Sequence, residues 1–131
     1  MDILITEWAL DTYLDLKGRG VITRDEYKNK IRPDVMRLKA FPNDPEFSNS
    51  KFWSPATGLG GRIPCGFKMK WHQVGPGLCQ LRVGVAIYNG EALLCRAYTK
   101  DNSSTEMREM AKLKLHISQI MNGLHQTRGK L

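Results

Sequence analysis

The sequence predicts an α+β domain: an N-terminal helical hairpin, a three-to-four-stranded antiparallel sheet and a C-terminal helix. Three observations carry this. Apolar residues recur at helical spacing up to Phe41. From Phe67 to Thr99 the spacing changes to alternation, broken by two turn signals. After Asp101 helical spacing returns.

Ile3 to Ile5 is short and apolar, either a first strand or a lead-in. Thr6 can cap a helix from Glu7 to about Lys17, with Trp8, Tyr13, Leu14 and Leu16 on its apolar side and Gly18 and Gly20 as its stop. Thr23-Arg24-Asp25-Glu26 has the form of a capping box, in which the threonine hydroxyl accepts from the Glu26 amide and the glutamate accepts from the Thr23 amide. Tyr27, Ile31, Val35 and Leu38 then mark a second helix. Pro33 falls inside that pattern and either kinks the helix or starts a new one.

The segment 41–66 reads as a long loop. It holds Pro42, Pro45, Pro55 and Pro64 with Gly58, Gly60 and Gly61, and loops of this length are often functional. Phe47, Phe52 and Trp53 are suited to pin it to the body. Phe67–Val74 is the first predicted strand, Gly75-Pro76-Gly77 a turn, and Cys79–Tyr88 the second strand. Asn89-Gly90 is a type I′ hairpin signal and Glu91–Thr99 the third strand. Ser103 with Glu106 repeats the capping-box spacing. The last helix runs to about Asn122, with Met110, Leu113, Ile117, Ile120 and Leu124 as its buried stripe. His116 and His125 are expected at the surface or near the helix cap.

At 131 residues the chain, 1–131, is expected to be one domain. An excess of 20 Lys and Arg over 13 Asp and Glu, net +7, suits an acidic partner such as nucleic acid, an acidic protein segment or a membrane surface. Cys65, Cys79 and Cys95 are odd in number and lack zinc-ligand spacing, which fits reduced thiols in the cytoplasm. No apolar run of membrane-spanning length and no signal peptide is present, so no membrane partner is expected.

Alternation places Phe67, Met69 and Trp71 on one face of the first strand and Lys68, Lys70 and His72 on the other. In the second strand Leu81, Val83, Val85 and Ile87 read as core, leaving Arg82 opposite. In the third, Leu93, Cys95 and Ala97 read as core, leaving Arg96, Tyr98 and Lys100 opposite. One sheet face would then present Lys68, Lys70, His72, Arg82, Arg96, Tyr98 and Lys100. Such a face suits a phosphate backbone, and RNA carries its own nucleophile in the 2′-hydroxyl. Cleavage then needs an acid, a base and cations, but no metal or cofactor. His72 is the acid or base candidate, because its type titrates near neutrality. Arg82 and Lys100 are the candidates for charge stabilisation. Lys68, Lys70, Arg96 and Tyr98 would hold the RNA. No carboxylate cluster for a two-metal nuclease is apparent. Gly58-Leu59-Gly60-Gly61 lacks the Lys-Ser/Thr ending of a phosphate-binding loop.

The stretch from Leu81 to Lys100, with a strand arginine at Arg82, a tight turn at Asn89-Gly90 and an aromatic-x-Lys end at Tyr98-Thr99-Lys100, followed by a helix bearing Glu109-Met110-Ala111-Lys112, resembles the RelE/ParE superfamily of type II toxins, in particular its HigB-like branch. The resemblance implies a RelE-like fold, metal-independent cleavage of mRNA (often on the ribosome) and neutralisation by a cognate antitoxin protein. It assigns Arg82, Tyr98 and Lys100 to the site. The roles of Lys68, Lys70 and His72 rest on alternation alone. The alternative expectations are a non-catalytic ParE-like inhibitor of a protein target such as gyrase, and a basic nucleic-acid-binding domain.

Overall fold

The computed structural model describes residues 1–131 as a six-stranded mixed sheet with helices on both faces. The chain forms β1 (Asp2–Thr6), α1 (Glu7–Gly18), α2 (Arg24–Glu26), a π turn at Tyr27–Ile31 and α3 (Arg32–Met36). After 3₁₀ turns at Arg37–Ala40 and Pro45–Ser48 come β2 (Trp53–Gly58), β3 (Gly61–Val74), β4 (Cys79–Tyr88), β5 (Glu91–Thr99), α4 (Ser103–Met121) and β6 (Thr127–Lys130). The strand order is β2-β3-β4-β5-β1-β6.

This corrects the expected architecture. β1 pairs parallel with β5, Ile3 opposite Ala92 and Leu4 opposite Leu93, so the sheet is mixed and not purely antiparallel. β2 and β6 extend it at both edges. β2 lies inside the segment read as a loop, because Pro55 and Gly58 mask a strand. As an edge strand it tolerates a residue with no N–H to donate. β6, Thr-Arg-Gly-Lys, is exposed throughout and has no apolar periodicity to announce it.

No free-standing helical hairpin forms at the N-terminus. α1 and the run from α2 to α3 touch through the Tyr13 and Tyr27 rings, 5.3 Å apart. Their apolar residues are otherwise spent on the sheet: Leu16, Ile31, Val35 and Leu38 join Met69, Trp71, Leu81, Val83, Val85 and Leu94 in one core. A second core forms on the opposite face, where Met110, Leu113, Ile117 and Ile120 of α4 cover Ala86, Leu93 and Cys95. Leu124, expected in that stripe, lies beyond the helix end and is 72% exposed.

Two faces with two cores split the predicted core positions of β5. The β4–β5 pairing steps from Gly84↔Arg96 to Val85↔Leu94, so Cys95 is an extra residue in a β-bulge. Leu93 and Cys95 therefore face α4, while Ala97 faces the other core. Two glycines let α4 settle on this face. A Cβ at Gly84 would lie 3.0 Å from Leu113 Cδ1, and one at Gly66 would lie 3.1 Å from Ile117 Cδ1.

Local capping follows the sequence at two of three places. The Thr6 hydroxyl accepts from the Ala9 amide, and the Thr23–Glu26 capping box is complete. At α4 the cap is Asn102, whose side chain accepts from the Thr105 amide, and not Ser103. Glu106 is thereby released from capping duty for another partner. No helix is long and apolar enough to cross a membrane.

Candidate functional site

The pairing of β3, β4 and β5 brings most of the predicted site residues into one row. Lys70 lies opposite Arg82, Arg82 opposite Tyr98, Lys68 opposite Gly84, and Gly84 opposite Arg96. These side chains lie on the face that α4 covers, so the face is not the open basic platform the alternation suggested. The first turns of α4 deliver two carboxylates to it. Glu106 Oε1 accepts from Lys68 Nζ at 2.8 Å and its Oε2 accepts from the Tyr98 hydroxyl at 2.9 Å. Glu109 Oε2 accepts from Arg96 Nε at 2.6 Å. The sheet pattern alone announces neither glutamate. The signal for them was an acidic pair at i, i+3 in the opening turns of a helix that follows basic strands.

Arg82 is only 5% exposed. Its Nη1 donates to the Leu81 carbonyl at 3.1 Å and its Nη2 to Gln80 Oε1 at 2.8 Å, so the guanidinium is a fixed charge beneath the site. Burial lowers its pKa from the ordinary arginine value, opposed chiefly by the Glu106 carboxylate. Lys100 is exposed and forms no ion pair, and its amide donates to the Gln80 carbonyl at 2.9 Å. It is thus an exposed, unpaired cation beside the fixed one.

Lys70 is where the charges converge. Burial first, then the nearby cations Lys68, Arg82 and Lys100, push its ammonium below the usual lysine range, with Glu106 opposing. Its Nζ donates to the Ser50 carbonyl at 2.9 Å. Glu106 itself is pulled two ways: burial raises its carboxyl, but the Lys68 hydrogen bond and charge outweigh this and hold it below the ordinary carboxylate range. Tyr98 is pushed up by burial and by Glu106, so its phenol stays protonated as a donor.

His72 does not join this cluster. It is exposed, and its Nε2 lies 2.9 Å from the Lys51 carbonyl. A carbonyl only accepts, so Nε2 carries the proton and Nδ1 is the nitrogen left for exchange with a ligand. His72 and Lys70 nonetheless line one depression of about 200 Å³, together with Lys30, Lys51, Asp34 and Trp71. Lys70 therefore stands between two compartments: the inner cluster of Lys68, Arg82, Tyr98 and Glu106, and an outer basic depression holding His72. The segment from Asn49 to Phe52, inside the predicted loop, supplies the outer wall.

The arrangement has the parts for metal-free phosphate chemistry. There is a lysine whose ammonium is disfavoured by burial and by neighbouring cations, a histidine with one free nitrogen, and cations on both sides of them. No known protein family, curated protein or solved structure matches this chain.

Proposed function

We propose that this protein is an RNA-cleaving toxin of the RelE/ParE type that works without a metal on mRNA and is held in check by an antitoxin. The observation that carries the proposal is Lys70: a half-buried lysine pushed down by burial and by three neighbouring cations, on the rim of a depression shared with His72. In this reading neutral Lys70 takes the proton from the ribose 2′-hydroxyl. The 2′-oxygen bonds to phosphorus, the bond from phosphorus to the 5′-oxygen breaks, and protonated His72 gives its proton to that oxygen. Lys100 and the fixed charge of Arg82 stabilise the extra negative charge on the phosphate in the transition state. Lys68 and Tyr98, now on Glu106, and Arg96, now on Glu109, border the path of the strand.

A second reading has its own support. Arg82, Lys68 and Arg96 are already engaged within the protein, which favours a face that binds nucleic acid or a protein target without catalysis. Replacement of the central groups separates the two. RNA alone and mRNA on translating ribosomes are incubated with Lys70→Ala, His72→Ala and, as a control on the far edge of the sheet, Lys130→Ala. The catalytic reading expects cleavage to fall by about 10²–10⁴-fold in the first two and to be unchanged in the third. A non-catalytic face expects no cleavage by any of the proteins, including the parent.

A further inference from the structure

On the face opposite α4, the gap between α1 and the run from the π turn to α3 does not close. It leaves an apolar slot of about 150 Å³ whose lining is eleven apolar residues and one charged residue, Arg32. Ala9 and Tyr13 of α1, Tyr27 and Ile31 of the π turn, and Val83 and Leu94 of the sheet form its walls. The tilted Tyr13 and Tyr27 rings divide it from a neighbouring polar pocket that carries Lys17 and Arg24.

We propose that this slot is a binding site for a small amphipathic anion, a short aliphatic chain or single aromatic ring that ends in a carboxylate. An apolar slot of this size is filled favourably by a ring-sized apolar group, which removes apolar surface from water. Its one charged lining residue, Arg32, fixes the other end of the ligand. Arg32 is exposed and forms no ion pair or side-chain hydrogen bond, and Lys17 and Arg24 beyond the tyrosines are likewise without ion pairs. Arg32 is thus the one charged residue on an otherwise apolar lining, with Lys17 and Arg24 in the neighbouring pocket. A small ligand fits better than a docked helix. Of the large exposed apolar residues only Leu14 lies on α1, while Leu59, Leu78, Leu115, Met121 and Leu124 are on other parts of the chain, so the slot does not open onto a broad apolar surface. The site is independent of the cationic cluster under α4.

The test is calorimetric titration of the full chain with octanoate and with octanol, on the parent protein, Arg32→Gln and Ala9→Leu. The expected result is one octanoate per chain with a Kd on the order of 0.1 mM. Arg32→Gln should weaken octanoate at least about fivefold and leave octanol unchanged, since only the anion meets the guanidinium. Ala9→Leu fills the slot and should abolish binding of both. Absence of saturable octanoate binding, equal loss of octanoate and octanol in Arg32→Gln, or undiminished binding by folded Ala9→Leu would each overturn the proposal. Arg32 is on the surface, so its variant decides the matter even where Ala9→Leu does not fold.

Discussion

The Glu106 carboxylate bridges Lys68 on β3 and Tyr98 on β5, its two oxygens 2.8 Å and 2.9 Å from their polar atoms. One side chain thus ties the start of α4 to two strands and offsets part of the charge that gathers beside Lys70. Glu106→Gln keeps the shape and removes the charge. Stability should fall by about 1–3 kcal/mol in urea unfolding, since Lys68 is left with a weaker partner in a mostly buried place. RNA affinity at fixed salt should rise, because the cluster becomes more positive. Unchanged stability together with weaker RNA binding would show that Glu106 does neither.

Lys70 sets a pH dependence whose sign follows from its neighbours. Its ammonium is pushed down, so the neutral form that accepts a proton is reached at lower pH than for an ordinary lysine. Cleavage should rise with pH as Lys70 gives up its proton and turn down again where the general acid loses its own, so that the rising limb of a bell reports Lys70. Lys68→Met removes a cation and leaves Glu106 without its ion-pair partner, and both changes favour the Lys70 ammonium. The rising limb should move to higher pH in a profile of kcat/KM. A limb that stays in place would separate Lys70 from the rate.

The second and third strands of the meander, the Asn89-Gly90 turn and the extent of α4 could be read from the sequence because their signals are local: alternation, paired positive-φ turn residues and a helical stripe; the first strand was legible only from Phe67, because Pro64 and Gly66 mask its opening at Gly61. The parallel pairing of β1 with β5 could not, since it joins segments at opposite ends of the chain and neither pattern names its partner. The bulge at Cys95 had a larger effect on the site. It shifts the parity of β5 partway along, so a single alternation cannot place both Leu93 and Ala97. The cover over the basic face was hidden for a similar reason. Alternation reports which residues share a face, and says nothing of whether a helix with Glu106 and Glu109 lands on it.

The sequence places His116 at the surface or near the helix cap; it lies instead within α4 and is 9% exposed, its ring stacked on Trp8 with centroids 4.0 Å apart. Neither ring nitrogen has a hydrogen-bond partner. Burial first, and then the Arg96 charge, push its pKa down to about 4 from the ordinary 6.5. The folded state thus resists protonation while the unfolded chain accepts it. The contribution is fully present above about pH 6.5 and is lost as pH falls toward 4, by about 3 kcal/mol. His116→Phe keeps a ring on Trp8 and removes the titration. Between pH 7 and 5 its urea midpoint should change less than that of the parent, and an equal drop would remove His116 as the cause.

Gly75 ties the β3–β4 turn to the N-terminal half. Its amide donates to Glu26 Oε2 at 2.8 Å, its φ is +72°, and a Cβ there would lie 1.9 Å from the Val21 carbonyl oxygen. Gly75→Ala combines a disfavoured backbone conformation with a clash against backbone, and should cost about 2 kcal/mol or more. Gly90→Ala shares the positive φ but has open space around its Cβ, and should cost less. Equal losses in thermal unfolding would mean that the Val21 contact relaxes freely.

The chemistry of the cleaved ends tests metal-free transfer from the 2′-hydroxyl most directly. Parent protein treated with chelator is incubated with RNA, free and on translating ribosomes, and the new termini are identified by mass spectrometry. Attack by the 2′-oxygen requires 2′,3′-cyclic phosphate on one fragment and 5′-hydroxyl on the other, with no loss of rate to the chelator. Intact RNA, 5′-phosphate ends, or activity that disappears with the chelator would contradict the mechanism centred on Lys70.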